Sequence, residues 1–222
     1  MPIIARPSRV PYSVVAYIVA CGKTLELTLD AQIIAIELFE RVYPHLGADL
    51  THPVQLLVLA CVNLAAKTLQ RYPKDEDSLK RLVNFPLSLS QLHFLEHKIL
   101  FLTNFQIFSI SEKSFRSYLA EFFAAIADLL SPRGRSAVAS ALEATAVLVC
   151  VFPGLALSIA SADGAKLAAL LAVHAAASFT RKEKLKDSAL VRKLLLTADK
   201  HEDFFAAEFY PLARDFINFV VS

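Results

Sequence analysis

The sequence predicts an all-α protein built as two five-helix bundles in tandem. Three observations carry that prediction. Hydrophobic residues make up 55% of the 222 positions and charged ones 20%, with mean hydropathy +0.48, which excludes a disordered chain. Only 5 glycines occur, and sandwiches, barrels and doubly wound nucleotide folds spend glycine on turns and phosphate loops, so all three are disfavoured. Finally, prolines and glycines cut a chain rich in alanine and leucine into ten stretches of helical character.

The first half, residues 1–110, offers Val10–Cys21, Thr28–Tyr43, Pro53–Gln70, a short Glu76–Val83 and Ser90–Thr103. In the first stretch Val10, Val14, Val15 and Ile18 form an inward face. In the second, Leu29, Ile33, Ile36, Glu40 and Tyr43 share one stripe. A carboxylate on an apolar stripe needs a partner or an outlet to water. Arg9, just before the first helix, is the expected partner, giving a structural ion pair Arg9–Glu40.

The third stretch is the informative one. Pro53 occupies a first-turn position, and from Val54 to Ala66 almost no polar face remains. A helix apolar all round is a central one. Its polar residues, Asn63, Lys67 and Gln70, gather at the C-terminal end, so Lys67 marks where the buried helix emerges. The fifth stretch opens with Ser88-x-x-Gln91, a capping box. Leu92, Leu95, Ile99 and Leu102 then follow core spacing, leaving Glu96 and Leu100 on an adjoining face where Glu96 can be presented without disturbing the packing.

The second half, residues 111–222, offers Glu112–Leu130, Arg135–Val151, Asp163–Phe179, Lys184–Thr197 and Glu202–Val220. Ala144 to Ala162 runs without a charge for a membrane-spanning length, yet Pro153-Gly154 divides it into two core helices. The apolar run ending at Ile18-Val19-Ala20-Cys21 resembles a lipoprotein cleavage box, but Pro11, Ser13 and Tyr17 interrupt it. No membrane association is expected.

Formal charge is +2, with 10 basic and 9 acidic residues in 1–111 against 13 and 12 in 112–222. A nucleic-acid binder usually carries a basic stripe, and none is visible, so no direct nucleic-acid contact is expected. Cys21, Cys61 and Cys150 are far apart in apolar surroundings and read as buried thiols of a reducing compartment.

Candidate chemistry is thin. His93-Phe94-Leu95-Glu96-His97 fits H-x-x-E-H, in which two histidines one turn apart can share a zinc ion and the glutamate can activate its water. A distal carboxylate ligand and a mixed α/β body are missing, so no metal is expected. No nucleophile elbow, phosphate loop, EF-hand or dinucleotide fingerprint occurs. The expectation is a chain that is not an enzyme and holds no cofactor.

The run from Thr51 through Lys67, followed by Leu95-Glu96-His97-Lys-Ile-Leu100-Phe-Leu-Thr-Asn-Phe105-Gln-Ile107, resembles a cyclin box. The family shows a central helix ending in Leu-Ala-Ser-Lys, then a helix reading Glu-x-x-Ile/Val-Leu and a Phe-x-Ile/Leu turn. The 29-residue separation of Lys67 and Glu96 also resembles the family, as does the acidic-Arg ending Glu37-Leu-Phe-Glu40-Arg41. The resemblance spans about residues 9–110, while 112–222 resemble a second cyclin fold only in having five helices.

That resemblance implies a cyclin fold and a regulatory subunit of a cyclin-dependent protein kinase, nuclear and/or cytoplasmic. Lys67 and Glu96 match the positions that contact the kinase near its regulatory helix, and Leu100 and Phe105 match positions adding apolar contact. Thr68, Leu69 and Gln70 depart from the aromatic and two glutamates of many cyclins, and the chain has no tryptophan, so a cell-cycle cyclin's substrate-docking patch is not expected. A narrower resemblance is to the cyclin N-terminal-domain-containing proteins of meiotic crossover formation. The competing classes are a cyclin-fold interaction module of transcription or recombination machinery that activates no kinase, and a membrane-associated helical protein.

Overall fold

The structure, a computed structural model, describes residues 10–46, 53–69, 76–107, 115–152, 162–181, 189–198 and 202–221. Among them stand ten α-helices and no strand. The chain divides into two compact units, one over Ser8–Ile110 and the other containing Ser111–Ser222.

In the first unit α1 is Tyr12–Thr24, α2 Leu29–Leu46, α3 Val54–Thr68, α4 Glu76–Lys80 and α5 Leu89–Leu102. Helix α3 is the hub and packs on α1, α2 and α5. Its residues from Leu56 to Ala66 are all buried, as a helix apolar on every side requires. Val10, Val15 and Ile18 are buried as expected of the first stretch, while Val14 is half-buried.

Both α1 and α5 stop in the same way. After α1, Glu26 turns to φ 54, with Leu27 N donating to Gly22 O at 2.8 Å and Glu26 N to Lys23 O at 3.0 Å. After α5, Asn104 turns to φ 51, with Phe105 N donating to Leu100 O at 2.7 Å and Asn104 N to Phe101 O at 3.0 Å. This paired six-to-one and five-to-two bonding satisfies the orphan carbonyls at each helix end.

In the second unit α6 is Phe115–Ala127, α7 Pro132–Cys150, α8 Ala162–Arg181, α9 Ala189–Ala198 and α10 Glu202–Val221. Helix α8 packs on all four others. Its alanines keep the helix slim, and Ala168, Ala169, Ala172, Ala175, Ala176 and Ala177 are wholly buried. Phe115, Phe122, Phe209 and Phe216 supply the bulk around it, which is how small and large residues interdigitate at native density.

Several local expectations need correction. Helix α7 starts at Pro132, three residues before Arg135, because Ser131 Oγ accepts from Gly134 N at 3.1 Å and proline suits the first turn. The capping box at α5 does not form: Ser88 Oγ lies 2.8 Å from Ser90 Oγ and makes no cap bond. Thr103, not Leu102, completes the core face of α5, because 100° steps from Leu92, Leu95 and Ile99 return to position 103. On α2 the buried carboxylate is Glu37, whereas Glu40 is half-buried. Arg9, its expected partner, lies outside the described residues, as do Gln70 and Pro153-Gly154. No helix among the described residues is long and apolar enough to cross a membrane.

Candidate functional site

The last turns of α3 and the second half of α5 bring three polar side chains together. Lys67 Nζ donates to Glu96 Oε1 at 2.9 Å and to Oε2 at 2.8 Å. One turn earlier on α3, Asn63 Nδ2 donates to Glu96 Oε1 at 2.6 Å. The two halves of the motif, 29 residues apart in sequence, thus form one ion pair.

Burial differs sharply across that pair. The Glu96 side chain is 7% exposed and the Lys67 side chain 36%. The sequence reading that leaves Glu96 free of the packing is therefore corrected. Its carboxylate sits at the core's edge, and burying it is tolerable because three charge-assisted or amide hydrogen bonds replace its water. The Lys67 side chain, by contrast, is partly exposed, and its ammonium has one N–H beyond the two used on Glu96.

Leu100 lies one turn after Glu96 and is half-buried. Phe105 is 63% exposed and has φ 59, directly after Asn104 at φ 51. Asparagine tolerates the left-handed region, but phenylalanine pays about 1–2 kcal/mol there. Its ring stands edge-on to Phe101 at 5.4 Å, and Phe101 is itself exposed. The four residues singled out by sequence, Lys67, Glu96, Leu100 and Phe105, therefore lie on α3, α5 and the turn that ends α5.

Arg41, on α2, holds the strand of backbone beyond that turn. Its Nη1 donates to Gln106 O at 2.8 Å and to Ile107 O at 3.4 Å. Burial lowers the guanidinium's pKa, and the charge of Glu37 opposes that shift. Sequence reasoning noticed Arg41 only as part of a resemblance and gave Asn63 no role. Neither was detectable as a contact, since Arg41 bonds to carbonyls and Asn63 to a residue 33 positions away.

The H-x-x-E-H residues point elsewhere. His93 and His97 are exposed, while Glu96 is turned inward to Asn63 and Lys67. Among the described residues no group of three or more His, Cys, Asp or Glu side chains is arranged to hold a metal ion. Cys21 and Cys61 are buried, and desolvation pushes Cys21 up to about 11 and Cys61 higher still, so both are poor nucleophiles near neutral pH.

The family model described as "Cyclin, N-terminal domain" matches residues 7–108, which contain the whole Asn63–Lys67–Glu96 cluster. A chain in the structure of the CAK complex from Chaetomium thermophilum bound to ATP-gamma-S is similar in fold, with a TM-score of 0.53 at 12% identity. That similarity covers 95% of this chain and 61% of the other, so this chain spans under two thirds of its neighbour's length. The search of curated proteins found no match. The α3–α5 ion pair thus lies inside a segment, residues 7–108, that matches the cyclin N-terminal domain.

Proposed function

We propose that the chain is a regulatory subunit that binds a cyclin-dependent protein kinase through Lys67, Glu96, Leu100 and Phe105, and positions or activates it. The carrying observation is Phe105, an exposed aromatic ring held at φ 59 on the α5 turn. A bulky residue kept in a costly conformation with its ring mostly in water gains little packing beyond the edge of Phe101, and such positions cluster at binding sites.

The surroundings support a protein partner. Lys67 offers a fixed positive charge with spare donor capacity, and Glu96 and Asn63 hold it in register. Leu100, Phe101 and Phe105 give apolar surface alongside. Aromatic anchors supply affinity and charges supply register, the usual division in a specific interface. The match of residues 7–108 to the cyclin N-terminal domain, and fold similarity to a chain from a CAK complex holding a nucleotide analogue, favour a kinase as that partner. Binding would select the kinase's active arrangement. The chain then works without catalysis of its own, in cell-cycle, transcriptional or meiotic control, in the nucleus and/or cytoplasm.

The test is affinity purification of the tagged full chain from cells, with the co-purifying kinase identified. The wild type should retain a kinase, and Phe105→Asn, which keeps the turn, should lose it. A kinase retained equally by both would remove the assigned surface. No kinase under conditions where other cyclins keep theirs would favour an interaction module without kinase activation.

A further inference from the structure

The second unit contains a cleft of about 410 Å³ that the kinase surface does not explain. It is lined by His174 from the hub helix α8 and by Tyr210, Pro211, Ala213, Arg214, Ile217 and Asn218 from α10. Its size falls in the range of small-molecule sites, and its walls combine apolar side chains with a few polar groups, as such sites do.

His174 is the unusual member. It is 4% exposed, inside the run Leu167–Ala177 of α8 that is otherwise alanine, leucine and valine. Its ring stands edge-on to Phe209 at 5.1 Å, and neither ring nitrogen has a hydrogen-bond partner among the described residues. A buried imidazole normally finds one. The first unit shows the ordinary solution: on its third helix, Asn63 is likewise buried and is met by Glu96 from the fifth helix. In the second unit the third helix presents His174 to the fifth helix, α10, which answers with a cleft.

The other polar groups fix the sign of what would enter. Arg214 brings donors and a positive charge; its Nε faces Asp215 Oδ1 at 3.4 Å, and its terminal nitrogens have no partner among the described residues. Asn218 and Tyr210 can donate, and so can a neutral imidazole. Burial brings His174 down to about 4, so the ring is neutral at physiological pH and offers one N–H. No acidic side chain lines the cleft among the described residues. Ile217, Pro211 and Ala213 would face an apolar stem.

We infer that this cleft binds a small organic carboxylate with an apolar stem, its carboxylate taken by Arg214 and His174 and its stem packed on Pro211 and Ile217. The site is independent of the kinase reading, since every described lining residue belongs to α8 or α10.

The probes are phenylbutyrate, phenylbutanol and phenylbutylamine, titrated into the full chain while the histidine ring nitrogens are followed by NMR. The His174 signal is assigned by its loss in His174→Gln. Phenylbutyrate should shift that signal saturably in the millimolar range, about tenfold more tightly than the alcohol or the amine. Arg214→Ala, at an exposed position, should weaken phenylbutyrate about fivefold and leave the alcohol unchanged. Absence of a saturable His174 shift overturns the inference. So does equal binding of alcohol or amine, or an Arg214→Ala variant that binds phenylbutyrate like the wild type.

Discussion

Asn63 Nδ2 lies 2.6 Å from Glu96 Oε1 and beneath the Lys67 ammonium, which holds both oxygens of the same carboxylate. The pair is therefore structural. Removing the carboxylate strands a buried amide and leaves a half-buried ammonium without its counter-charge. Glu96→Ala should lower stability to urea by about 3 kcal/mol, the cost of breaking a largely buried pair. Lys67→Ala should cost at least as much, about 3–5 kcal/mol, because it removes two of the three hydrogen bonds on a buried carboxylate and leaves that charge uncompensated. Equal and negligible losses in the two variants would show that Glu96 is not buried as described.

Phe105 separates binding from folding more cleanly. Its backbone sits at φ 59 and its ring is mostly in water, so little packing is lost on replacement. Asparagine adopts that conformation readily, and Phe105→Asn should leave the melting temperature unchanged or raise it by a stabilisation of about 1 kcal/mol. The same variant should lose most kinase retention if the proposed surface is used, an anchor aromatic being worth at least ~2 kcal/mol. Calorimetry and co-purification on one preparation check both halves.

His174 makes the second unit sensitive to acid. In the folded chain desolvation holds its ring neutral down to about pH 4, whereas in the unfolded chain it protonates near 6.5. Between those values the unfolded state binds more protons, so stability is complete above about pH 6.5, falls as pH drops towards 4 and levels off below it. The full loss is on the order of 3 kcal/mol. Urea midpoints measured across that window should fall for the wild type, and the part owed to this residue should vanish in His174→Leu. A wild type and a leucine variant with parallel pH profiles would mean that the imidazole is solvated.

Much of this fold was legible because one pattern dominated. Ten stretches between prolines and glycines became ten helices, and the run Val54–Ala66, apolar on every side, could only be a hub. That Lys67 and Glu96 belong to one motif was readable through the cyclin-box spacing, but their direct ion pair and the depth of Glu96 were not, since helical periodicity gives a face and says nothing of how far the neighbouring helix overlaps it. Asn63 was visible as a polar residue near a helix end, yet its role depends on α5 arriving opposite it. The Ser88 cap failed for a similar reason: its hydroxyl had a competing partner in Ser90. The cleft at His174 left no trace in sequence, because a histidine among alanines reads as core until the opposite helix is placed.

Gly22 is a last position where spacing decides the outcome. It lies inside α1, where alanine would ordinarily stabilise the helix by about 1 kcal/mol. A Cβ there, however, would stand 2.5 Å from Gln32 Cγ and 2.9 Å from its Cδ. Gln32 cannot swing away cheaply, because it is buried on α2 and its Nε2 donates to Leu27 O at 3.1 Å. That bond also fixes the α1–α2 connection, where Leu27 N already donates to Gly22 O. Overpacking of this kind costs about 1–3 kcal/mol and exceeds the propensity gain, so Gly22→Ala should be destabilising by about 1 kcal/mol net. Gln32→Ala by itself should lose the bond to Leu27 O and destabilise the chain. In the Gly22→Ala, Gln32→Ala double variant the two losses should be less than additive, since the alanine Cβ then fills the space the glutamine vacated. Strict additivity in urea denaturation would show that α1 and α2 do not approach each other as closely as these distances require.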